Sequence, residues 1–466
     1  MADPTPIDDS GVTGNSNLPD FSDVQKATLA DELPPEILVY IFEMAQNTFL
    51  PSEEHLFWRF PLVLGMVSQY WRQVAYGAPM LWSNVDISHD RDLDGLQVYL
   101  GRSKDVPIDM HFTYDDTGKR DVSKLIGILR LHYPRCRSIR LSSETPDKIT
   151  PEVMSIVISM CEGRYPILQR FHVEGFDTGE IGEFSEPRAI AADALNLTNV
   201  RLRGLGLIYC RPPLTAATEL HLAVATTTIP YTYFYGMLGS CQSLITLCVY
   251  DDLVFGWPTN LRTAHDMPSL RYLRIFGNML GVSQLLLSIS APCLKELTIA
   301  PVVMSDLDLL CVGASRNAPR FPALTSLTLA PAHADAMEST LTLANTCFPG
   351  IKLLVLPNYY KESFMESFKT GGLEPSEQLW PELDGLAVRD IGERQNQVVL
   401  YEFIKVRRRL GVPLGTLYLD SSSMSRITRM DWLKDQLSVV EADPWKIQCQ
   451  NAFYCNEEDR FLGAEE

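Results

Sequence analysis

The sequence lacks the marks of a secreted, zinc-ribbon or membrane-spanning protein. Its ten cysteines form no CxxC pair, so neither a zinc ribbon nor a disulfide framework is indicated, and a reducing compartment fits best. No run of about eighteen apolar residues is present, and the N-terminal stretch has neither the basic nor the apolar region of a signal peptide. We therefore expect a soluble protein of the cytoplasm or nucleus.

Basic residues are also scarce. The chain has 40 lysines and arginines against 58 aspartates and glutamates, a formal net charge of -18 over 466 residues. Nucleic acids and anionic membranes are themselves negative, so this balance disfavours general binding to either of them. The charge argues for partners that are proteins, with no nucleic acid and no membrane.

Motifs that carry chemistry are missing as well. There is no HExxH, no P-loop and no Gly-x-Ser-x-Gly elbow, and the Arg203 to Gly206 stretch lacks the third glycine of a dinucleotide fingerprint. The eight histidines lie far apart in the sequence, and no spacing supports a metal ligand set. We expect no metal, no cofactor and no catalytic residue; a hydrolase would need a convergent nucleophile and base that the sequence does not display.

The first pattern along the chain is a pair of apolar helical faces between residues 33 and 82. The first face repeats at helical spacing through Leu33, Ile37, Leu38, Ile41, Phe42 and Ala45, and the second through Val63, Met66, Val67, Tyr70, Trp71 and Val74. Prolines 34 and 35 suit a first helical turn near Leu33, and Gly77 followed by Pro79 ends the last helix. A unit of about fifty residues cannot cover this apolar surface alone, so a partner or the rest of the chain must cover it.

The order of anchors in this stretch resembles the F-box motif in the form found among fungal (basidiomycete-type) F-box-like proteins. The anchors are Leu33-Pro34, Glu36-Ile37-Leu38, Ile41-Phe42, Val67-x-x-x-Trp71-Arg72 and Pro79-x-Leu81-Trp82. The segment from Asn47 to Phe60 is longer than is usual, and Ser68 stands where a cysteine is common.

The resemblance implies that the helical unit docks on the Skp-type adaptor of a cullin-RING ubiquitin ligase, while the rest of the chain chooses the substrate. The implied adaptor-binding residues are Leu33, Pro34, Ile37, Leu38, Ile41, Phe42, Val63, Leu64, Val67 and Trp71. The alternative is an interaction scaffold without ligase association, in which the helices only cap the repeats. That alternative predicts burial of Ile37, Leu38 and Phe42 within the chain.

An internal repeat dominates the sequence from residue 133 onward. Its template has apolar residues at positions one, four and six, and eleven copies follow one another at separations of 20 to 32 residues. Position one of these copies is Cys136, Leu168, Leu197, Ala217, Leu244, Leu270, Leu294, Leu324, Ile351, Leu383 and Leu414. This spacing is typical of leucine-rich repeats, in which each unit supplies one strand and a returning segment. An ordinary α/β domain remains the alternative, because a doubly wound sheet also alternates strand and helix.

The predicted fold class is therefore α/β, with a short helical F-box followed by a leucine-rich-repeat-like solenoid that has a parallel concave sheet. We expect a disordered leader over 1–28, the F-box-like unit over 29–82, the solenoid over 83–440, and a C-terminal cap and acidic tail over 441–466. A last helix is expected through Trp432, Leu433, Leu437, Val439 and Val440.

Strand residues alternate, so positions five and seven of each copy should point out of the concave wall. In the first half of the array these positions are basic or aromatic, and the candidate substrate-binding residues are Arg140, His172, Arg201, Arg203, His221, Tyr250, Arg274 and Phe276. Arginines bind carboxylate or phosphate groups in a fork geometry, which favours a target segment that is acidic or phosphorylated. A solvated face balanced by position-three carboxylates such as Glu219 and Glu296 is the competing interpretation.

Overall fold

The structure is a computed structural model that describes residues 33–47, 54–87, 92–114, 121–143, 149–173, 186–224, 227–259, 264–276, 281–302, 307–308, 310, 320–331, 337–356, 379–389 and 391–442. The predicted leader over 1–28, the tail beyond residue 442 and the position-seven residues Glu174 and Pro357 lie outside these residues. Contacts within the chain divide it into a first unit, Met1–Leu81, and a second unit, Trp82–Glu466.

The first unit is helical in its described part. It contains α1 (Pro35–Asn47), α2 (Glu54–Val67) and α3 (Gln69–Gly77), and a 3-10 turn covers Pro79–Trp82. Helix α1 begins two residues later than the spacing predicted, and the Pro34 carbonyl accepts its first hydrogen bonds from the amides of Ile37 and Leu38. Ser68 ends one helix and starts the next, because its hydroxyl accepts the amide hydrogen of Trp71 at 3.1 Å.

The second unit is mixed α/β and is built on one long parallel sheet of fourteen strands among the described residues. These strands are β1 (Asn84–Asp86), β2 (Ile108–Tyr114), β3 (Cys136–Ser143), β4 (Arg170–Val173), β6 (Asn199–Arg203), β8 (Glu219–Ala223), β10 (Thr246–Tyr250), β13 (Tyr272–Phe276), β15 (Glu296–Val302), β16 (Ser326–Pro331), β17 (Leu353–Leu356), β18 (Gly385–Val388), β19 (Thr416–Leu419) and β20 (Ser438–Glu441). Within this sheet each strand pairs with the sheet's next strand in chain order, so the sheet grows in one direction.

Helices and short strand pairs form the connections. The helices are α4 (Leu93–Arg102), α5 (Val122–Arg130), α6 (Pro151–Cys161), α7 (Leu205–Tyr209), α8 (Tyr231–Gly239), α9 (Val282–Ser288), α10 (Met337–Cys347), α11 (Arg394–Arg409), α12 (Ser421–Arg426) and α13 (Met430–Gln436). Three two-stranded parallel pairs join β5 (Arg188–Ala189) to β7 (Cys210–Arg211), β9 (Ile229–Pro230) to β11 (Val254–Phe255), and β12 (His265–Asp266) to β14 (Ile289–Ser290). Among the helices described, none combines the length and hydropathy that a membrane crossing requires.

The core of the second unit follows from the repeat template. The position-four residues lie in direct register across the sheet and form an apolar core row: Val85, Met110, Ile139, Phe171, Val200, Leu220, Leu247, Leu273, Leu297, Leu327, Leu354, Leu386, Leu417 and Val439. All members from Val85 to Leu417 are at most 1% exposed. Because no single repeat can bury this row by itself, stacking of neighbouring strands provides its hydrophobic stabilisation.

The C-terminal prediction needs a correction. The last helix was expected to include Val439 and Val440, whereas α13 ends at Gln436 and both valines lie in β20, which pairs with β19. The edge of β19 offers unpaired backbone groups, and a fourteenth strand satisfies them better than one further helical turn would.

Arg407 of α11 is hydrogen-bonded to the connection that precedes β18. Its guanidinium is fully buried and donates hydrogen bonds to the carbonyls of Leu379, Trp380, Pro381 and Leu383, at 3.1 to 3.4 Å. Burial lowers the pKa of Arg407 to about 10, so the side chain stays charged at neutral pH. A buried cation is therefore held by backbone dipoles rather than by a carboxylate.

Candidate protein interaction sites

The helical unit has a core of its own. Leu38 and Phe42 of α1, Leu64 of α2 and Val74 of α3 are at most 7% exposed. The ring of Phe42 packs against that of Trp71 with centroids 4.9 Å apart. These apolar side chains hold the three helices together and are largely withdrawn from solvent.

A second group of apolar side chains on the same helices faces solvent. We call it the exposed apolar set, and its members are 42% to 80% exposed: Ile37, Tyr40, Ile41, Met44, Val63, Met66 and Val67. On α1 they recur at steps of three and one, the spacing of one helical face. Several large apolar side chains exposed on one helical face are typical of a binding surface rather than of an ordinary monomer surface.

The ten residues expected to bind an adaptor separate by burial. Pro34, Ile37, Ile41, Val63 and Val67 are exposed; Leu33 and Trp71 are half-buried; Leu38, Phe42 and Leu64 belong to the core of the unit. Tyr40 and Met44 were not predicted from the sequence, although helical spacing from Ile37 could have identified them. Met66 was placed in the second apolar face but not among the adaptor-binding residues.

The polar face of the long sheet carries the second group of candidates. Five of the eight candidates, Arg140, His172, Arg201, His221 and Arg274, lie in one register row, which we call the second polar row. Arg203, Tyr250 and Phe276 lie two residues further along their strands. The sheet therefore brings together residues that are up to 136 positions apart in the sequence.

The position-three residues form the first polar row, which begins Asn84, Asp109, Ser138, Arg170, Asn199, Glu219, Thr246, Tyr272 and Glu296. Hydrogen bonds connect the two rows at their centre. His172 Nε2 lies 2.6 Å from Asn199 Oδ1, Asn199 Nδ2 donates to Glu219 Oε2 at 2.5 Å, and His221 Nε2 lies 2.9 Å from Glu219 Oε1. Glu219 Oε2 thus accepts from Asn199 on the neighbouring strand β6, and Oε1 is bonded to His221 on the same strand β8.

Burial and neighbouring charges set the protonation states of His221 and Glu219. Burial lowers the pKa of His221 to about 4, and the charges of Arg201 and Arg274 add to that effect against the opposing pull of Glu219. Burial opposes ionisation of Glu219, but its hydrogen bond to His221 and the cations nearby win, and its pKa lies below the ordinary value. At neutral pH we therefore expect a neutral imidazole beside an ionised carboxylate.

The charge of the sheet contrasts with that of the chain. Strands β2 to β15 of the long sheet carry six arginines (Arg137, Arg140, Arg170, Arg201, Arg203 and Arg274) and three carboxylates (Asp109, Glu219 and Glu296), a balance of three positive charges. Asp109 forms ion pairs with two of these arginines: its Oδ2 lies 2.5 Å from Arg137 Nη2 and 3.4 Å from Arg170 Nη2.

Accessibility differs among the eight candidates. Arg140, His172, Arg203, Tyr250 and Arg274 are half-buried, whereas Arg201, His221 and Phe276 are at most 5% exposed. Tyr250 stacks on Phe276 with centroids 5.4 Å apart, and Phe276 packs with Ala300 and Ala330. The buried three form the floor of this face, and the half-buried five are the groups that an incoming ligand reaches.

A separate groove of about 900 Å³ lies beside the β5–β7 pair and α8. Its walls include Pro212, Pro230, Tyr233 and Met237, and the exposed ion pair between Arg211 and Glu186 stands at 2.5 Å. Within the described ranges no group of three or more histidine, cysteine, aspartate or glutamate side chains is placed to hold a metal ion.

Comparison with known proteins adds no family to these observations: no protein-family model matches the chain, and a search of curated proteins finds no match.

Proposed function

We propose that the chain is a substrate-recognition subunit of a cullin-RING ubiquitin ligase. In this proposal the helical unit is an F-box that docks on the Skp-type adaptor, and the second unit is a leucine-rich-repeat-like array that binds the target protein. Ubiquitin transfer is performed by other subunits, so no catalytic residue is required here.

The observation that carries the proposal is the exposed apolar set on α1 and α2. Ile37 is 48% exposed, Val63 52% and Met66 80%, while Leu38, Phe42 and Leu64 of the same helices are at most 5% exposed. Exposing an aliphatic side chain costs about 1.5 to 3 kcal/mol relative to burying it, so a face with several of them favours a bound partner. The F-box resemblance of the same segment supplies the identity of that partner.

The repeat pattern and the sheet support the second half of the proposal. Fourteen parallel strands follow in chain order and share one core row, as expected of a stack of leucine-rich repeats. Such stacks present the strand face to protein partners, and here that face carries the two polar rows. In this proposal the second unit binds the target and the first unit binds the adaptor.

The experiment that tests the proposal is capture of the full chain by purified Skp-type adaptor. Ile37→Asp combined with Ile41→Asp places two charges in the exposed apolar set without touching the core, and we expect it to abolish capture. Gln73→Asp, on the exposed side of α3, adds a charge elsewhere in the same unit and serves as the matched control.

Both variants should keep the circular dichroism and melting behaviour of the parent chain, because the changed residues are exposed. Capture of the parent and of Gln73→Asp, but not of the double variant, would support the proposal. If the folded parent chain is not captured, the receptor proposal is wrong and the chain is an interaction scaffold.

A further inference from the structure

We infer that the polar face of the long sheet binds an extended acidic segment that lies across the strands, with anionic groups reaching Arg140, Arg203 and Arg274. This inference rests on the proposed function, because it names the class of target that the second unit takes. The anionic groups are carboxylates or phosphoryl groups, which share the same recognition chemistry.

The first argument is charge complementarity. The chain carries a net charge of -18, whereas strands β2 to β15 of the sheet carry six arginines and three carboxylates on or beside this face. Of these carboxylates, Asp109 is bound by Arg137 and Arg170, and Glu219 accepts from Asn199 and His221. Glu296 interacts electrostatically with Arg274, and Asp251, just after β10, interacts with Arg203, so the arginines of the strands still outnumber the carboxylates around them. The local positive potential attracts an anion against the sign of the whole molecule.

The second argument is the chemistry of the three arginines. A guanidinium has five N–H donors and matches carboxylate or phosphate oxygens in a planar fork. Arg140, Arg203 and Arg274 are half-buried, so their charges are screened less by solvent than charges on an open surface. Tyr250, stacked on Phe276 between them, adds an aromatic contact surface of the kind that is frequent in hot spots.

The third argument is geometry. Arg140 and Arg274 lie in the same register row, on β3 and β13, and the strands between them are β4, β6, β8 and β10. Five steps of about 4.8 Å between neighbouring strands give about 24 Å, which an extended peptide spans with about seven residues. Arg203, on β6, stands between the two ends. A segment with anionic groups at both ends and near its middle therefore meets all three arginines.

The test uses the full chain and fluorescein-labelled peptides, with binding followed by fluorescence anisotropy. The main probe carries glutamates at the two ends and in the middle of a stretch of about eight residues. A second probe has the same composition with the glutamates adjacent, a third has glutamine in their place, and a fourth has phosphoserine in their place.

We expect the spread glutamate probe to bind at least about tenfold more tightly than the glutamine probe, the size of one charge-assisted contact. Arg140→Glu and Arg274→Glu should each weaken binding by a similar factor, and Arg164→Glu, an exposed arginine before β4, should leave it unchanged. Tighter binding of the phosphoserine probe with the same arginine dependence supports the inference and identifies phosphate as the preferred group.

A charge swap separates loss of recognition from loss of folding. The variant with Arg140→Glu and Arg274→Glu together should bind a probe with lysines at its two ends and glutamate in its middle, opposite the unchanged Arg203, which the parent chain binds weakly. The inference is overturned if the glutamine or the adjacent-glutamate probe binds as well as the spread one, or if both reversals leave affinity within about twofold. None of these outcomes depends on adaptor capture, so the two proposals fail separately.

Discussion

Replacing Arg407 by methionine should open the connection before β18 without unfolding the rest of the sheet. Three N–H groups of Arg407, one on Nη1 and two on Nη2, donate to four backbone carbonyls, and at about 2 kcal/mol for each charge-assisted donor they contribute about 6 kcal/mol. Burial lowers its pKa from 12.5 to about 10, which corresponds to a desolvation penalty of about 3 kcal/mol that the methionine does not pay. The difference predicts a net loss of about 3 kcal/mol.

Amide hydrogen exchange measures this loss where it occurs. A stack of repeats opens locally, so the effect should concentrate in Leu383 and in strand β18, with little change at β3 or β4. A loss of about 3 kcal/mol corresponds to exchange that is about a hundredfold faster in this segment. Arg407→Lys keeps the charge but has fewer donors, and we expect an intermediate effect.

Arg409→Met is the matched control, because it removes the same charge from an exposed position on the same helix. It should leave exchange in β18 unchanged. If the amides of β18 in Arg407→Met also exchange at the parent rate, the hydrogen bonds of Arg407 do not stabilise the connection before β18, which would refute the prediction.

Two further predictions concern stability. Burial lowers the pKa of His221 from 6.5 to about 4, so between these pH values the unfolded chain is protonated at His221 and the folded chain is not. The free energy of unfolding should therefore fall by about 3 kcal/mol as the pH is lowered from 6.5 to 4. Urea unfolding at several pH values should show that the free energy of unfolding falls less with decreasing pH in His221→Gln than in the parent chain. The same dependence on pH in both chains would contradict the role given to His221. Gly206→Ala would place a Cβ atom 2.6 Å from Val173 Cβ and should destabilise by about 1 to 3 kcal/mol, whereas Gly101→Ala meets no atom within 4 Å and should be neutral or mildly stabilising. A thermal melt in which both glycine variants behave alike would show that the close approach at Gly206 relaxes easily.

Much of the second unit was predictable from the spacing of apolar residues. An apolar residue at position four of each copy predicted the core row, and the two-residue alternation of strands placed Arg140, His172, Arg201 and Arg274 together on the opposite face. The prediction succeeded because a shift of one residue would bury the arginines and expose the leucines.

Partnerships between side chains were not predictable in the same way. Glu219 was expected to be a counter-charge, but its hydrogen bond to Asn199 depends on β6 lying beside β8, and its bond to His221 on the same strand depends on side-chain rotamers. Burial of Arg201 and Phe276 likewise depends on what packs above the strand, which periodicity does not encode. In the helical unit, spacing identified the helices but did not separate the core residue Phe42 from the exposed Ile41 beside it.

The most direct test of the central proposal is oxidative footprinting of methionines with and without the Skp-type adaptor. Met44 and Met66 of the exposed apolar set are 53% and 80% exposed, and peroxide oxidises accessible thioethers. Met424, half-buried in the second unit, provides an internal reference. The account predicts that adaptor binding slows oxidation of Met44 and Met66 and leaves Met424 unchanged. Unchanged oxidation of Met44 and Met66 in the presence of saturating adaptor would contradict it.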